Sequence, residues 1–253
     1  MDRRYRSVIG RAALVLAAAF LTRGAAAIDV ELPIMADTLL AGHSSEKDTN
    51  CGARQFLRVK GWQGIVVFRF DMSKVEGHKA SGGVLSVFTA GISGDDAGKG
   101  ATNSDTISTI SHDWIEGVGD YTFDEGSATF IWPGEAVADE WGDDNEELSD
   151  RYGETDALDV TGGFGGSIVN SEGFWEFTVD EWTDIELDAE LVQSLVDGEQ
   201  FGIAVLRNNI GTNLDLSSRE TVNVPRLVVD SSGLAVGAQN KAASVWAGIK
   251  AGL

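Results

Sequence analysis

The stretch Gly64-Ile65-Val66-Val67-Phe68-Arg69-Phe70-Asp71 decides the fold. In an extended chain Val66, Phe68 and Phe70 point one way, and Ile65, Val67 and Arg69 the other. Apolar residues on both faces mark a strand covered on both sides, and therefore a central one. Arg69 sits within it, and a guanidinium is seldom buried without a carboxylate to answer it. The acid expected here is Glu220, in Ser217-Ser218-Arg219-Glu220, just before the last strand-like run. The competing reading puts Arg69 on an edge, reaching water along its aliphatic stem.

Short strand-like runs separated by Gly, Asn, Asp and Ser clusters continue in both directions. Asp29–Pro33, Thr38–Ala41, Phe56–Lys60, Val84–Thr89, Thr106–Ser111 and Thr129–Trp132 read as strands. So do Phe174–Val179, Asp184–Leu187, Phe201–Arg207, Asn213–Leu216 and Arg226–Asp230. One helix is expected, Ala189–Val196, with Leu191, Val192, Leu195 and Val196 at helical spacing and Gly198 as its stop. Many short strands, 31 glycines and one short helix predict an all-β fold, an antiparallel jelly-roll-like β-sandwich. Two long loops interrupt it, Gly91–Asn103 and the strongly acidic insertion Pro133–Gly166.

The first residues read as an export signal over 1–27. Arg3, Arg4, Arg6 and Arg11 precede the apolar run Ala12–Leu21, and Ala25-Ala26-Ala27 offers a cleavage site. The general secretory path fits better than the twin-arginine route that Arg3-Arg4 raises. A sandwich domain is expected over 28–230 and a tail over 231–253, of Ala, Gly, Val and Ser composition. No later apolar run is long enough to span a bilayer, so the mature chain is expected outside the inner membrane, periplasmic or extracellular. Without the signal the chain holds 14 basic and 39 acidic residues, a formal charge of −25. Such a surface repels nucleic acid. The lone Cys51 excludes an internal disulfide framework and reads as a small buried residue.

Several segments resemble the DNRLRE (disaggregatase-related) domains, also treated as carbohydrate-binding module family 96. These are Ala36-Asp37-Thr38, then Asn50, Gly52 and Leu57, and Phe68 to Ser73. Asp113-Trp114-Ile115-Glu116-Gly117 is similar to that family's Trp-x-Glu-Gly element, and Trp182–Leu206 to its strand, helix and strand. Ser218-Arg219-Glu220 and Pro225 to Val229 resemble its closing signature. The resemblance spans Ala36 to Asp230 and implies a jelly-roll-like sandwich on secreted bacterial proteins. Such domains often accompany polysaccharide-active enzymes, and some bind acidic glycans such as alginate. The long acidic insertion departs from the pattern.

Sugar rings stack on flat aromatic faces while their hydroxyls bond nearby polar groups. Trp132 and Trp141 flank or enter the acidic loop, and Trp62 sits in a Gly-bounded turn, so these three are the expected platforms. Trp114 and Trp182, within family-like elements, are expected in the core. Arg54, Arg58 and Lys60 form a candidate basic strip for an anionic polymer, or else a solubilising edge. In the acidic loop Asp139, Asp143 and Asp144 are the candidate calcium ligands, although the spacing is not that of an EF-hand. His43, His78 and His112 show no metal-ligand spacing, and no Gly-x-Ser-x-Gly elbow occurs. The expectation is a secreted, non-catalytic polysaccharide-binding protein. A structural or adhesive surface protein is the alternative, and a polysaccharide-active enzyme comes third.

Overall fold

The computed structural model describes residues 27–104, 106–135, 140–142, 155–206 and 210–234. The expected export signal (apart from Ala27) and the expected tail beyond Leu234 lie outside these residues. Among the described residues the strands form three antiparallel sheets. The largest contains β1 (Ala27–Leu32), β3 (Phe56–Val59), β5 (His78–Gly94), β9 (Trp182–Leu187), β11 (Thr212–Ser217) and β12 (Arg226–Leu234). Its strands run β1-β12-β5-β11-β3, and β9 also pairs with β5. The second has the order β2-β4-β10-β7, from Ile34–Leu40, Ile65–Phe70, Ile203–Leu206 and Thr106–Thr109. A small ribbon joins β6 (Ala101–Ser104) to β8 (Trp175–Thr178).

The opening stretch behaves as its pattern dictates. β4 lies between β2 and β10, and its two faces enter two different cores. Val66, Phe68 and Phe70 join Leu85 and Val87 of β5, Leu214 and Leu216 of β11, and Leu227 and Val229 of β12 between the sheets. Ile65 and Val67 face outward, under a cover that includes Ile110, Trp114, Phe130, Trp141 and Val160. β1 pairs with β12 from Ala27↔Ser232 to Leu32↔Leu227, so the two ends of the sandwich meet. The last strand continues four residues past the expected boundary at 230.

The one α-helix among the described residues, α1 (Ala189–Val196), has the expected bounds and buries Leu191, Val192, Leu195 and Val196 in the main core. Gly198 (φ +74°) follows it, and its N–H donates to Leu195 O at 3.2 Å. This is the left-handed stop that a side chain would resist. Gln193 ties α1 to β5: its Oε1 accepts from Ala80 N at 2.8 Å.

Two strand assignments change. Thr129–Trp132 is a tight turn closed by a single bridge rather than a strand, because Thr129 N donates to Trp132 O. Much of the expected loop at Gly91–Asn103 is sheet, since β5 runs to Gly94 and β6 starts at Ala101. The cover over the second sheet is held by Asn50. Its Nδ2 donates to Glu116 O (2.6 Å) and Ala128 O (2.9 Å), and its Oδ1 accepts from Gly52 N (3.0 Å) and Gly119 N (2.8 Å). All four hydrogen-bonding positions of a buried amide are thereby used. A Cβ on Gly52 would stand 2.3 Å from Glu116 O, so glycine is what lets the cover approach so closely.

Candidate functional site

The structure scatters the residues expected to bind. Trp141 is fully buried in the outer core with Trp114 and Phe130, and its Nε1 donates to Thr129 O at 3.1 Å. The acids around it in sequence point to exposure, yet the indole packs with Ala157 and Val160 in the apolar cover over the second sheet. Trp132 is half-buried in the turn beside it. Trp62 is half-buried and lines a 240 Å³ cavity with Phe164, Leu158 and Leu206. Asp139, Asp143 and Asp144 lie outside the described residues. Among the described residues no group of three or more His, Cys, Asp or Glu is arranged to hold a metal ion.

The basic strip is neutralised from within. Arg54 pairs with Asp120 and Arg58 with Glu46, each at 2.6 Å, and both guanidiniums lie over the Tyr121 ring, at 4.2 and 5.6 Å. Asp215 stands opposite Arg58 in the β3–β11 register, and burial pushes its carboxyl up. Burial also lifts the Tyr121 hydroxyl to about 12 and the Cys51 thiol to about 11, so both stay protonated. Of the three cations only Lys60 has no carboxylate partner among the described residues.

The expected Arg69–Glu220 pair is also corrected. Arg69 Nη2 bonds Asp113 Oδ1 and Trp114 O (2.9 Å), and Nε donates to Phe201 O (3.3 Å). Its guanidinium lies 4.6 Å from the centre of the Trp114 ring. The outer cover brings Asp113 directly over the outward face of β4, where Arg69 points. Glu220 instead lies 3.4 Å from Arg219 Nε.

The resemblance motifs converge around Asp37. Its Oδ2 accepts from Arg219 N at 2.7 Å, and its N–H donates to Glu116 Oε1 at 2.7 Å. Arg219 Nη2 bonds Glu116 Oε2 at 2.6 Å, and Nη1 donates to Met35 O at 3.0 Å. Asp37 is fully buried and its Oδ1 has no hydrogen-bond partner among the described residues. Burial, opposed by the Arg219 N–H and reinforced by the Glu116 charge, raises this carboxyl to about 7. The arrangement is a latch joining β2, the Asp113–Gly117 segment and the chain after β11.

The recess best suited to a ligand lies on the outer face of the large sheet. Leu85 and Val87 of β5 point into the core, so Ser86 and Phe88 point away from it. Phe88 stands opposite Trp182 on β9, and Ser86 opposite Arg226 on β12, which places Trp182 and Arg226 on either side of β5. The Phe88 and Trp182 rings meet edge to face at 5.5 Å. The Arg226 guanidinium lies 4.4 Å from the centre of the indole. Two recesses, of about 570 and 360 Å³, border the loop between β11 and β12, and its Val222, 97% exposed, lines both. The larger has Phe56 and Phe88 on its floor and Gln55, Asp180, Glu220 and Asn223 at its rim. The smaller holds Trp182 and Arg226.

Trp182, expected in the core, is therefore 38% exposed. Its own strand carried the signal. In Trp182-Thr183-Asp184-Ile185-Glu186-Leu187, Ile185 and Leu187 are buried, so Trp182 shares the other face with Asp184 and Glu186. No protein-family model matches this sequence, and no curated protein matches it.

Proposed function

We propose that the chain is a secreted, non-catalytic polysaccharide-binding β-sandwich protein that holds its glycan in the Phe56–Phe88–Trp182 groove. The observation that carries this reading is the groove's composition. Three exposed or half-exposed aromatic rings line a cleft whose rim alternates amide, hydroxyl and carboxylate groups. Sugar C–H faces pack on such rings while hydroxyls exchange hydrogen bonds with the rim. The meeting of Asp37, Glu116 and Arg219 supports the resemblance to the DNRLRE domains, since residues from three of its segments share one latch.

The charges favour a neutral chain over a polyuronate. Asp180, Glu220 and Glu31 line the two recesses, against the Arg226 guanidinium, which has no carboxylate partner among the described residues, in a protein of strongly negative charge. Affinity gels carrying a neutral β-glucan, xylan or alginate, with and without calcium, test this. A neutral polymer is expected to retard the protein. Trp182→Ala removes about 2 kcal/mol of apolar contact and weakens retention roughly thirtyfold, whereas Trp132→Ala leaves it unchanged. The reading fails if no polymer retards the protein, or if Trp182→Ala binds as well as the parent.

One observation favours the surface-protein alternative. Phe123 and Phe174 are each more than 70% exposed, a pattern suited to self-association. Sedimentation of the chain without glycan would show such assembly directly.

A further inference from the structure

A second recess, of about 270 Å³, opens where the end of β4 meets the start of β10 and the C-terminal end of α1. Phe70, Met72, Leu195, Phe201 and Ile203 make most of its wall, and Arg69 and Asp113 provide its charged groups. The pair is immobilised. Three hydrogen bonds and the Trp114 ring fix the guanidinium, while Asp113 Oδ1 accepts from both Arg69 Nη2 and Trp114 N (2.8 Å). These bonds leave Arg69 Nη1 and Asp113 Oδ2 without partners among the described residues. The two side chains are 28% and 40% exposed, and neither Nη1 nor Oδ2 is among the buried, unpartnered polar atoms.

From this geometry we propose that the recess binds an α-amino acid with a large apolar side chain, its carboxylate on Arg69 Nη1 and its ammonium on Asp113 Oδ2. The charged groups at the recess present one donor and one acceptor of opposite sign, already compensated by each other. A lone carboxylate brings its charge up to Asp113, and a lone amine brings its charge up to Arg69. A zwitterion satisfies both, through charge-assisted hydrogen bonds to groups held in place. The apolar wall offers water few partners, so an apolar body is favoured in its place. The volume suits a leucine- or phenylalanine-sized ligand and leaves too few polar groups for a sugar ring. This site is independent of the glycan groove.

Calorimetry and NMR titration of the full chain with L-leucine and L-phenylalanine test the proposal, with 3-phenylpropionate, phenethylamine and glycine as comparisons. At least one of the two amino acids is expected to bind, and each single-charge analogue at least about tenfold more weakly. Asp113→Asn removes the acceptor for the ammonium and leaves Arg69 uncompensated. It should invert the order, so that 3-phenylpropionate binds more tightly than L-phenylalanine. Met72→Trp fills the recess and should abolish binding while thermal unfolding and glycan retention stay as in the parent. Three results would overturn the proposal: no binding of either amino acid up to about 10 mM, equal binding of the single-charge analogues, or undiminished binding by Met72→Trp.

Discussion

Trp141→Ala is expected to destabilise the protein by about 3–5 kcal/mol, the range for removing a large buried aromatic side chain. The indole is fully buried and packs with Trp114, Phe130 and Val160 over the outward face of β4. His112 meets it edge to face, with ring centres 6.2 Å apart. Its N–H is also the donor to Thr129 O, and truncation leaves that buried carbonyl short of a partner. For a domain of this size the loss corresponds to roughly 8–15 °C in melting temperature. Trp132→Ala, in the half-buried turn, should cost well under half as much. The decisive comparison is with binding. Below its lowered melting temperature, and on the function proposed above, Trp141→Ala should be retained by glycan as the parent would be, because the proposed groove lies on the other sheet. A melting temperature within 2 °C of the parent, about 1 kcal/mol or less, would remove Trp141 from the core.

The contrast between Trp141 and Trp182 shows which parts of the molecule could be read from sequence. Strand periodicity is local, and it correctly placed β4 at the centre, because residues one apart must face opposite ways. It also held the answer for Trp182, once the strand is taken to begin at that residue rather than at Asp184. The helix bounds followed from equally local signals, the apolar spacing and Gly198. Trp141 has no such periodic neighbours. Its burial depends on the outer cover folding back over β4, a tertiary event that a run of nearby acids disguises. The same holds for Arg69. Its need for a carboxylate was legible from its place in an apolar strand, but the choice of Asp113 over Glu220 rests on how the cover crosses the sheet. The neutralised strip at Arg54 and Arg58 is a third case, since Asp120 and Glu46 reach it through loops rather than through the strand that carries it.

Asp37 makes stability depend on pH in an unusual direction for a carboxylate. Its folded value of about 7 lies above the ordinary 3.8, so the native state binds this proton more tightly than the unfolded chain does. The associated stability is fully present below about pH 4 and falls as pH rises towards 7. Above that, both states are ionised and nothing further is lost. Three pH units correspond to a decline on the order of 4 kcal/mol, at 1.36 kcal/mol per unit. Glu116, Asp215 and Asp230 are also raised and contribute in the same sense. Asp71, Asp96 and Asp124, lowered by their hydrogen bonds, act only towards the acid limit. Asp37→Asn isolates the single group. An amide keeps an oxygen for the Arg219 N–H and cannot ionise, so it mimics the protonated acid beside Glu116, Glu220 and the Arg219 guanidinium. Denaturant midpoints should match the parent below about pH 4 and exceed it from pH 7 upward, with the difference developing between those values. If the two curves run parallel from pH 4 to 8, Asp37 is ionised throughout. The unpartnered Oδ1 must then be reached by water, and the latch is held by charge rather than by a neutral acid.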